Sequence, residues 1–80
     1  MTEITFGGIP VWLLTAYLIE LGGTQDEEGI VIGELWKAML VSHKAEHGAL
    51  TIGRVTVTIE GSAAEETMQA LRKKAMRGGG

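Results

Sequence analysis

The chain contains no cysteine and few basic residues, and each shortage removes a class of protein. Without cysteine there are no disulfides, thiolate metal ligands or cysteine nucleophiles, which fits a cytosolic protein. A net charge of −3 argues against nucleic-acid binding, because phosphate recognition needs clustered lysine and arginine. The longest apolar stretch, residues 9–19, is shorter than the about 20 residues that span a bilayer. The composition therefore predicts a cytoplasmic protein with neither a membrane nor a nucleic-acid partner.

The length and apolar content predict one folded domain over residues 1–80. Hydrophobic residues make up 45% of the chain, enough to build a core in a domain of this size. No signal peptide is predicted, because Glu3 precedes the first apolar run. Residues 78–80, all glycine, are expected to form a flexible tail.

A strand and then a helix are predicted at the start of the chain. Polar and apolar residues alternate over residues 2–6, which indicates a strand. A helix is predicted over residues 11–21, with Pro10 at the position where a helix start accepts proline. Because this helix is apolar almost all round, we expect it to be buried on more than one side. Thr24 to Glu28 is predicted to be a solvated loop.

Two hairpins are predicted after the helix. Their four strands cover residues 29–32, 35–42, 50–52 and 55–60. The turns Gly33-Glu34 and Gly53-Arg54 share a glycine-first pattern that is typical of type II′ hairpins. Residues 43–48 are expected to link the two hairpins.

A second helix is predicted to end the chain, over residues 63–77. Ser62 and Glu65 have the spacing of a helix start, and acidic residues precede basic ones along the helix. The predicted fold class is α+β in the order β-α-β-β-β-β-α. We expect a single curved antiparallel sheet with both helices on one face.

Alternation within the strands predicts which side chains face the helices. The inward set is Trp36, Ala38, Leu40, Val55, Val57 and Ile59. The set predicted to face outward is Val31, Leu35, Lys37, Met39, Val41, Thr56 and Thr58. Because this outward set is partly apolar, we predict that the open face binds a second copy of the chain or another protein.

Histidines and acidic residues are the candidate metal ligands. His43 and His47 are four residues apart, but no third ligand lies at a defined spacing, so surface histidines in a loop are the favoured interpretation. Asp26, Glu27 and Glu28 are consecutive and are interpreted as a solvated loop. No metal, cofactor or catalytic set is predicted, so the chain is not expected to be an enzyme.

The glycines at positions 78–80 allow two interpretations. Gly79 and Gly80 are candidates for a modified terminus, as in sulfur or protein carriers that are activated at a Gly-Gly carboxylate. Alternatively, the glycines cap a helix, since glycine adopts the left-handed conformation without steric cost. A ubiquitin-like carrier begins with a hairpin, and its tail follows a strand. The single strand before the first helix, and the helix before the glycines, favour the cap.

Several short motifs carry a family resemblance. They are Gly8-Ile9-Pro10, Tyr17-Leu18, Leu21-Gly22-Gly23, Gly33-Glu34-Leu35-Trp36 and Arg77-Gly78-Gly79-Gly80. With them the chain resembles a small family that includes the C-terminal domain of molybdopterin-synthase-small-subunit-related proteins. Its element order resembles the TATA-binding-protein-like fold. The resemblance implies a non-enzymatic accessory domain linked to molybdenum-cofactor biosynthesis or sulfur transfer, and it assigns no site residues.

Overall fold

Five strands and two helices form the chain in a computed structural model that describes residues 1–47 and 50–78. The strands are β1 (Thr2–Gly7), β2 (Thr24–Gln25), β3 (Val31–Gly33), β4 (Trp36–His47) and β5 (Leu50–Glu60). The helices are α1 (Val11–Glu20) and α2 (Ala64–Gly78). The α+β class and the order β-α-β-β-β-β-α are thereby confirmed. Neither described helix is both long enough and apolar enough to cross a membrane.

The sheet is antiparallel throughout, with the strand order β1-β5-β4-β3-β2. β5 lies between the first strand and the long strand β4. Thr2 pairs with Ile59 at one end of the β1–β5 ladder, and Phe6 pairs with Val55 near the other. β1 and β2 are therefore the two edges of the sheet.

The core lies between one face of the sheet and both helices. α1 packs over β2, β3 and β4, whereas α2 packs over β1, β4 and β5. The fully or nearly fully buried apolar side chains are Leu14, Leu18, Val31, Trp36, Ala38, Val55, Val57, Ile59, Ala64, Met68, Leu71 and Ala75. Five of the predicted inward residues belong to this set, and Leu40 packs against it, so the predicted inward set is confirmed.

The second predicted hairpin is wrong. Gly53 and Arg54 do not form a turn, because they lie inside the continuous strand β5. Arg54 pairs with His43 on one side and with Gly7 on the other. The Gly8 N–H also donates to the Gly53 carbonyl over 3.3 Å. Pairing on both sides keeps this glycine segment extended, so residues 50–60 form one strand.

The first predicted hairpin exists, but its turn is one residue further along. Gly33 pairs with Trp36, so the turn residues are Glu34 and Leu35. Leu35 has a φ of 67°, an uncommon left-handed conformation for leucine. Its carbonyl accepts a hydrogen bond of 3.0 Å from the Ala63 N–H, which ties the turn to the start of α2. Gly33 is required for a different reason, since a Cβ there would overlap the Trp36 indole.

The outward position predicted for Val31 is wrong. Val31 is fully buried and pairs with Ala38, which faces the helices. Ile32 takes the outward position instead and is 47% exposed. Paired residues of neighbouring strands point to the same face, so the pairing with Ala38 places Val31 in the core.

The predicted helix is confirmed as α1, but the expectation that it is buried on more than one side is wrong. Leu14 and Leu18 are fully buried, but Trp12 is 68% exposed and Ile19 is 46% exposed. The sheet lies beneath one side of this helix, and no other described element covers the opposite side. A helix that is apolar almost all round is therefore buried on one side here.

Two segments predicted to be loops belong to the sheet. Thr24–Gln25 forms β2, which pairs with β3. Residues 43–47 belong to β4 rather than to a linker. Both errors have one cause, since these polar segments are held in place by neighbouring strands and not by their own β propensity.

Candidate interaction surface

The face of the sheet turned away from the helices is the first candidate surface, and we call it the outer face. Alternation along the strands places these described residues on it: Glu3, Thr5, Ile32, Lys37, Met39, Val41, His43, Arg54, Thr56, Thr58 and Glu60. The predicted outward residues Lys37, Met39, Val41, Thr56 and Thr58 lie on it. Two others do not, because Leu35 is in the turn and Val31 is in the core.

The pairing of β4 with β5 places the predicted residues in cross-strand pairs. Met39 lies opposite Thr58, and Val41 lies opposite Thr56. Lys37 lies opposite Glu60 at one end of the face, which places opposite charges across the β4–β5 pair. The outer face is thus a continuous surface across the central strands.

Hydrogen bonds fix the side of the outer face that covers β1 and β5. The hydroxyls of Thr5 and Thr56 are 2.9 Å apart, and the Thr56 hydroxyl is 3.2 Å from Nε2 of His43. The Thr58 hydroxyl donates to a Glu3 carboxylate oxygen over 3.1 Å. This side is polar and its side chains are already ordered.

The part of the outer face formed by Ile32, Met39 and Val41 is apolar, with Lys37 and His43 at its two ends on β4. Val41 is 53% exposed, Ile32 is 47% exposed, and Met39 is half-buried between them and β5. Sequence reasoning missed Ile32 and His43. The alternation that placed Lys37, if continued to residue 43, would have found the histidine.

A second apolar surface lies on α1, and sequence reasoning missed it. Trp12, Thr15, Ala16 and Ile19 follow helical spacing and form what we call the α1 face. A groove of about 480 Å³ runs beside the α1 face and also touches Glu28 and Leu40. The signal in the sequence was an apolar stripe on each side of one helix.

The candidate metal ligands do not converge. His43 is on the outer face beside Thr56. His47 is the last residue of β4 and pairs with Leu50 of β5, and its side chain lies outside the described part. An Asp26 carboxylate oxygen accepts the N–H groups of Glu28 and Ile30, each over 2.9 Å, which makes it a turn residue. Within residues 1–47 and 50–78, no group of three histidine or acidic side chains is placed to hold a metal ion.

Ser42 and His43, a hydroxyl beside an imidazole, occupy adjacent positions in β4. Adjacent strand residues point to opposite faces, so these two side chains are not placed to share a proton. Gly78 is the last residue of α2. The candidate modified terminus, Gly79 and Gly80, lies outside the described residues.

These features define a small α+β domain whose prominent surfaces are an open sheet face and an exposed helix face. A model of the family described as Archaeal MoaD-like protein matches residues 2–80. The chain belongs to this family, which agrees with the resemblance to molybdopterin-synthase-small-subunit-related proteins and indicates a role related to that subunit. No curated protein matches the chain.

Proposed function

We propose that this protein is a non-enzymatic interaction module, accessory to molybdenum-cofactor biosynthesis or sulfur transfer, that docks a protein partner on its outer face. The observation that carries the proposal is the half-apolar character of a sheet face that no described element covers. Val41 and Ile32 together expose a patch next to Met39. Antiparallel sheets that face water are ordinarily polar on that side, so such a patch is typical of a contact surface.

The two halves of the outer face have complementary roles in this proposal. Burial of the apolar half would favour a complex, with a gross gain of about 25 cal/mol for each Å² removed from water before the costs of association. The threonines of the polar half are held by the bonds from Thr5 to Thr56 and from Thr58 to Glu3, so ordering them on binding costs little. Lys37 and Glu60 lie at the rim, where charged pairs direct the orientation of a partner.

The test uses the large subunit of molybdopterin synthase as the partner, since the family is related to the small subunit. Met39→Glu places a carboxylate in the centre of the outer face. We expect it to weaken binding about tenfold or more, because burying an unpaired carboxylate costs more than the about 1.4 kcal/mol that a factor of ten represents. Isothermal titration measures the affinity, and circular dichroism checks that the helical content is unchanged.

The matched control adds a carboxylate elsewhere. Gln69 is exposed on α2, away from the outer face, so Gln69→Glu should bind like the unmodified protein. Equal affinities for Met39→Glu and the unmodified protein would overturn the proposed docking face. No binding by the unmodified protein would overturn the choice of partner.

A second candidate function is a carrier activated at the carboxylate of Gly80, converted there to a thiocarboxylate or a conjugate. The relation of the family to the small subunit of molybdopterin synthase supports it. The end of α2 at Gly78 opposes it, because the glycines then follow a helix rather than a strand. Deletion of Gly79 and Gly80 separates the two functions, since a carrier loses sulfur transfer while an interaction module keeps its affinity.

A further inference from the structure

The outer edge of β1 is an unprotected strand edge. Within the described residues β1 pairs with β5 alone, so its other edge meets no strand. The strand Thr2–Gly7 contains no proline, and its register with β5 runs without a bulge. Proteins commonly protect such an edge with proline, bulges or inward-pointing charges, because unpaired N–H and C=O groups bind further strands.

One hydrogen bond shows which backbone groups of β1 point to the open edge. The Gly8 N–H donates to the Gly53 carbonyl, so these two residues form a bonded pair of the β1–β5 ladder. Bonded pairs recur at every second residue in an antiparallel ladder. Ile4 and Phe6 therefore direct their backbone groups to β5, whereas Glu3, Thr5 and Gly7 direct theirs outward.

A groove follows this edge on the helix side of the sheet. It has a volume of about 310 Å³, and its apolar lining includes Ile4, Phe6, Ile9 and Met76. Ile4 and Phe6 are half-buried, and Met76 is 79% exposed. An added strand would therefore gain backbone hydrogen bonds from the edge and a site for its inward side chains from the groove.

We propose that the open edge of β1 pairs antiparallel with β1 of a second copy, about a two-fold axis at Thr5. In this register Thr5 faces Thr5 of the second copy, and Glu3 faces Gly7 of the second copy. Every outward N–H and C=O of Glu3, Thr5 and Gly7 is then paired. The two copies form one continuous sheet, and their outer faces join across the axis.

The sequence of β1 is suited to this symmetric register. Ile4 lies opposite Phe6 of the second copy, a pairing of a β-branched with an aromatic side chain that stabilises antiparallel strands. A register centred on Glu3 would set two carboxylates directly opposite each other, which is destabilising. A register centred on Ile4 would place the outward groups of Gly7 opposite Met1, beyond the end of the strand.

Charged residues make the stability of the proposed dimer depend on salt concentration. Arg72 lines the groove beside Ile4 and so lies close to the proposed axis, where it approaches Arg72 of the second copy. Each chain also carries a net charge of −3. Salt screens both repulsions between these exposed charges, so the dimer should tighten as salt concentration rises.

The experiment compares Thr5→Pro with Thr5→Val by light scattering. Proline removes the outward N–H and is tolerated on a strand edge whose N–H is not used within the molecule. Valine keeps that N–H and loses only the hydroxyl contact with Thr56. We expect twice the chain mass of 8.5 kDa for the unmodified protein and for Thr5→Val, and 8.5 kDa for Thr5→Pro. An unmodified protein that stays at 8.5 kDa at its highest soluble concentration overturns the proposal.

Hydrogen exchange on the unmodified protein makes the test independent of whether Thr5→Pro folds. The amides of Glu3, Thr5 and Gly7 should be protected in proportion to dimer population, and those of Ile4 and Phe6 at every concentration. Free exchange at Glu3, Thr5 and Gly7 overturns the proposal. Met39→Glu should keep the dimer mass, so loss of the dimer in that variant alone would assign self-association to the outer face and also overturn pairing through β1.

Discussion

The two helices lie on the same face of the sheet but differ in what they leave exposed. α2 buries an apolar stripe that includes Met68 and Leu71, and most of its other side chains are polar. α1 buries Leu14 and Leu18, yet it also exposes Trp12 and Ile19. The contrast shows that α2 is suited to water on its outer side, whereas α1 has a second apolar side that the described part of the chain does not cover.

The exposed apolar side of α1 comes in addition to the outer face of the sheet, so the molecule has two distinct kinds of apolar surface. The outer face combines apolar side chains with hydrogen-bonded threonines, as in the bond between Thr5 and Thr56. The α1 face presents Trp12 and Ile19 beside a groove, with few polar groups to fix an orientation. The sheet therefore offers the more specific contact, which is why the proposed partner is assigned to it.

The largest expected effect is on the free energy of unfolding. It tests whether the buried side chains of the two helices contribute equally to stability. Leu18→Ala in α1 and Leu71→Ala in α2 each remove a fully buried side chain. Each should lower the free energy of unfolding by about 2–5 kcal/mol, through lost burial and the cavity left behind. Urea unfolding followed by circular dichroism measures the change.

The control for this pair is Ile19→Ala, which removes a half-exposed side chain from the same helix. Its cost should be clearly smaller than that of Leu18→Ala. Equal costs for Ile19→Ala and Leu18→Ala would mean that α1 is buried on both sides, as its sequence pattern predicted.

The second helix illustrates what the sequence alone determines. The predicted range 63–77 differs from Ala64–Gly78 by only one residue at each end. The alternation of Val55, Val57 and Ile59 likewise fixed the inward face of β5. In both elements one side is apolar and the other polar, so the pattern determines the orientation.

The two glycine motifs illustrate what the sequence could not determine. Gly33-Glu34 and Gly53-Arg54 have the same local pattern, yet the first lies at a hairpin turn and the second lies inside a strand. The difference comes from β1, whose Gly7 pairs with Arg54 from far along the chain. Such long-range pairing cannot be predicted from five consecutive residues.

The candidate surfaces show the same division. Lys37, Met39, Val41, Thr56 and Thr58 were placed on the outer face correctly, because alternation is a local property of each strand. The α1 face was missed, because it depends on whether another layer covers the helix. An apolar pattern indicates that a side chain avoids water, but it does not identify the surface that will cover it.

An effect of intermediate size is expected when an exposed side chain of α1 is replaced. Trp12→Gln replaces a side chain that is 68% exposed, so the free energy of unfolding should change by less than about 0.5 kcal/mol. Binding of a hydrophobic fluorescent dye should fall, because the largest side chain of the α1 face is lost. Lys73→Gln on the exposed side of α2 is the control and should leave dye binding unchanged. Unchanged dye binding by Trp12→Gln would show that the α1 face is covered in solution.

The smallest effect is expected at the charged contact that joins the two helices. Nζ of Lys74 lies 3.0 Å from a carboxylate oxygen of Glu20, and the side chains are 35% and 59% exposed. Exposed pairs of this kind contribute about 0–1 kcal/mol, since water and salt screen them. A double-mutant cycle of Lys74→Met and Glu20→Gln should therefore give a coupling energy within that range, decreasing in high salt. A larger coupling that resists salt would show that charge holds the helices together, whereas the buried positions of Leu18 and Leu71 assign that role to apolar packing.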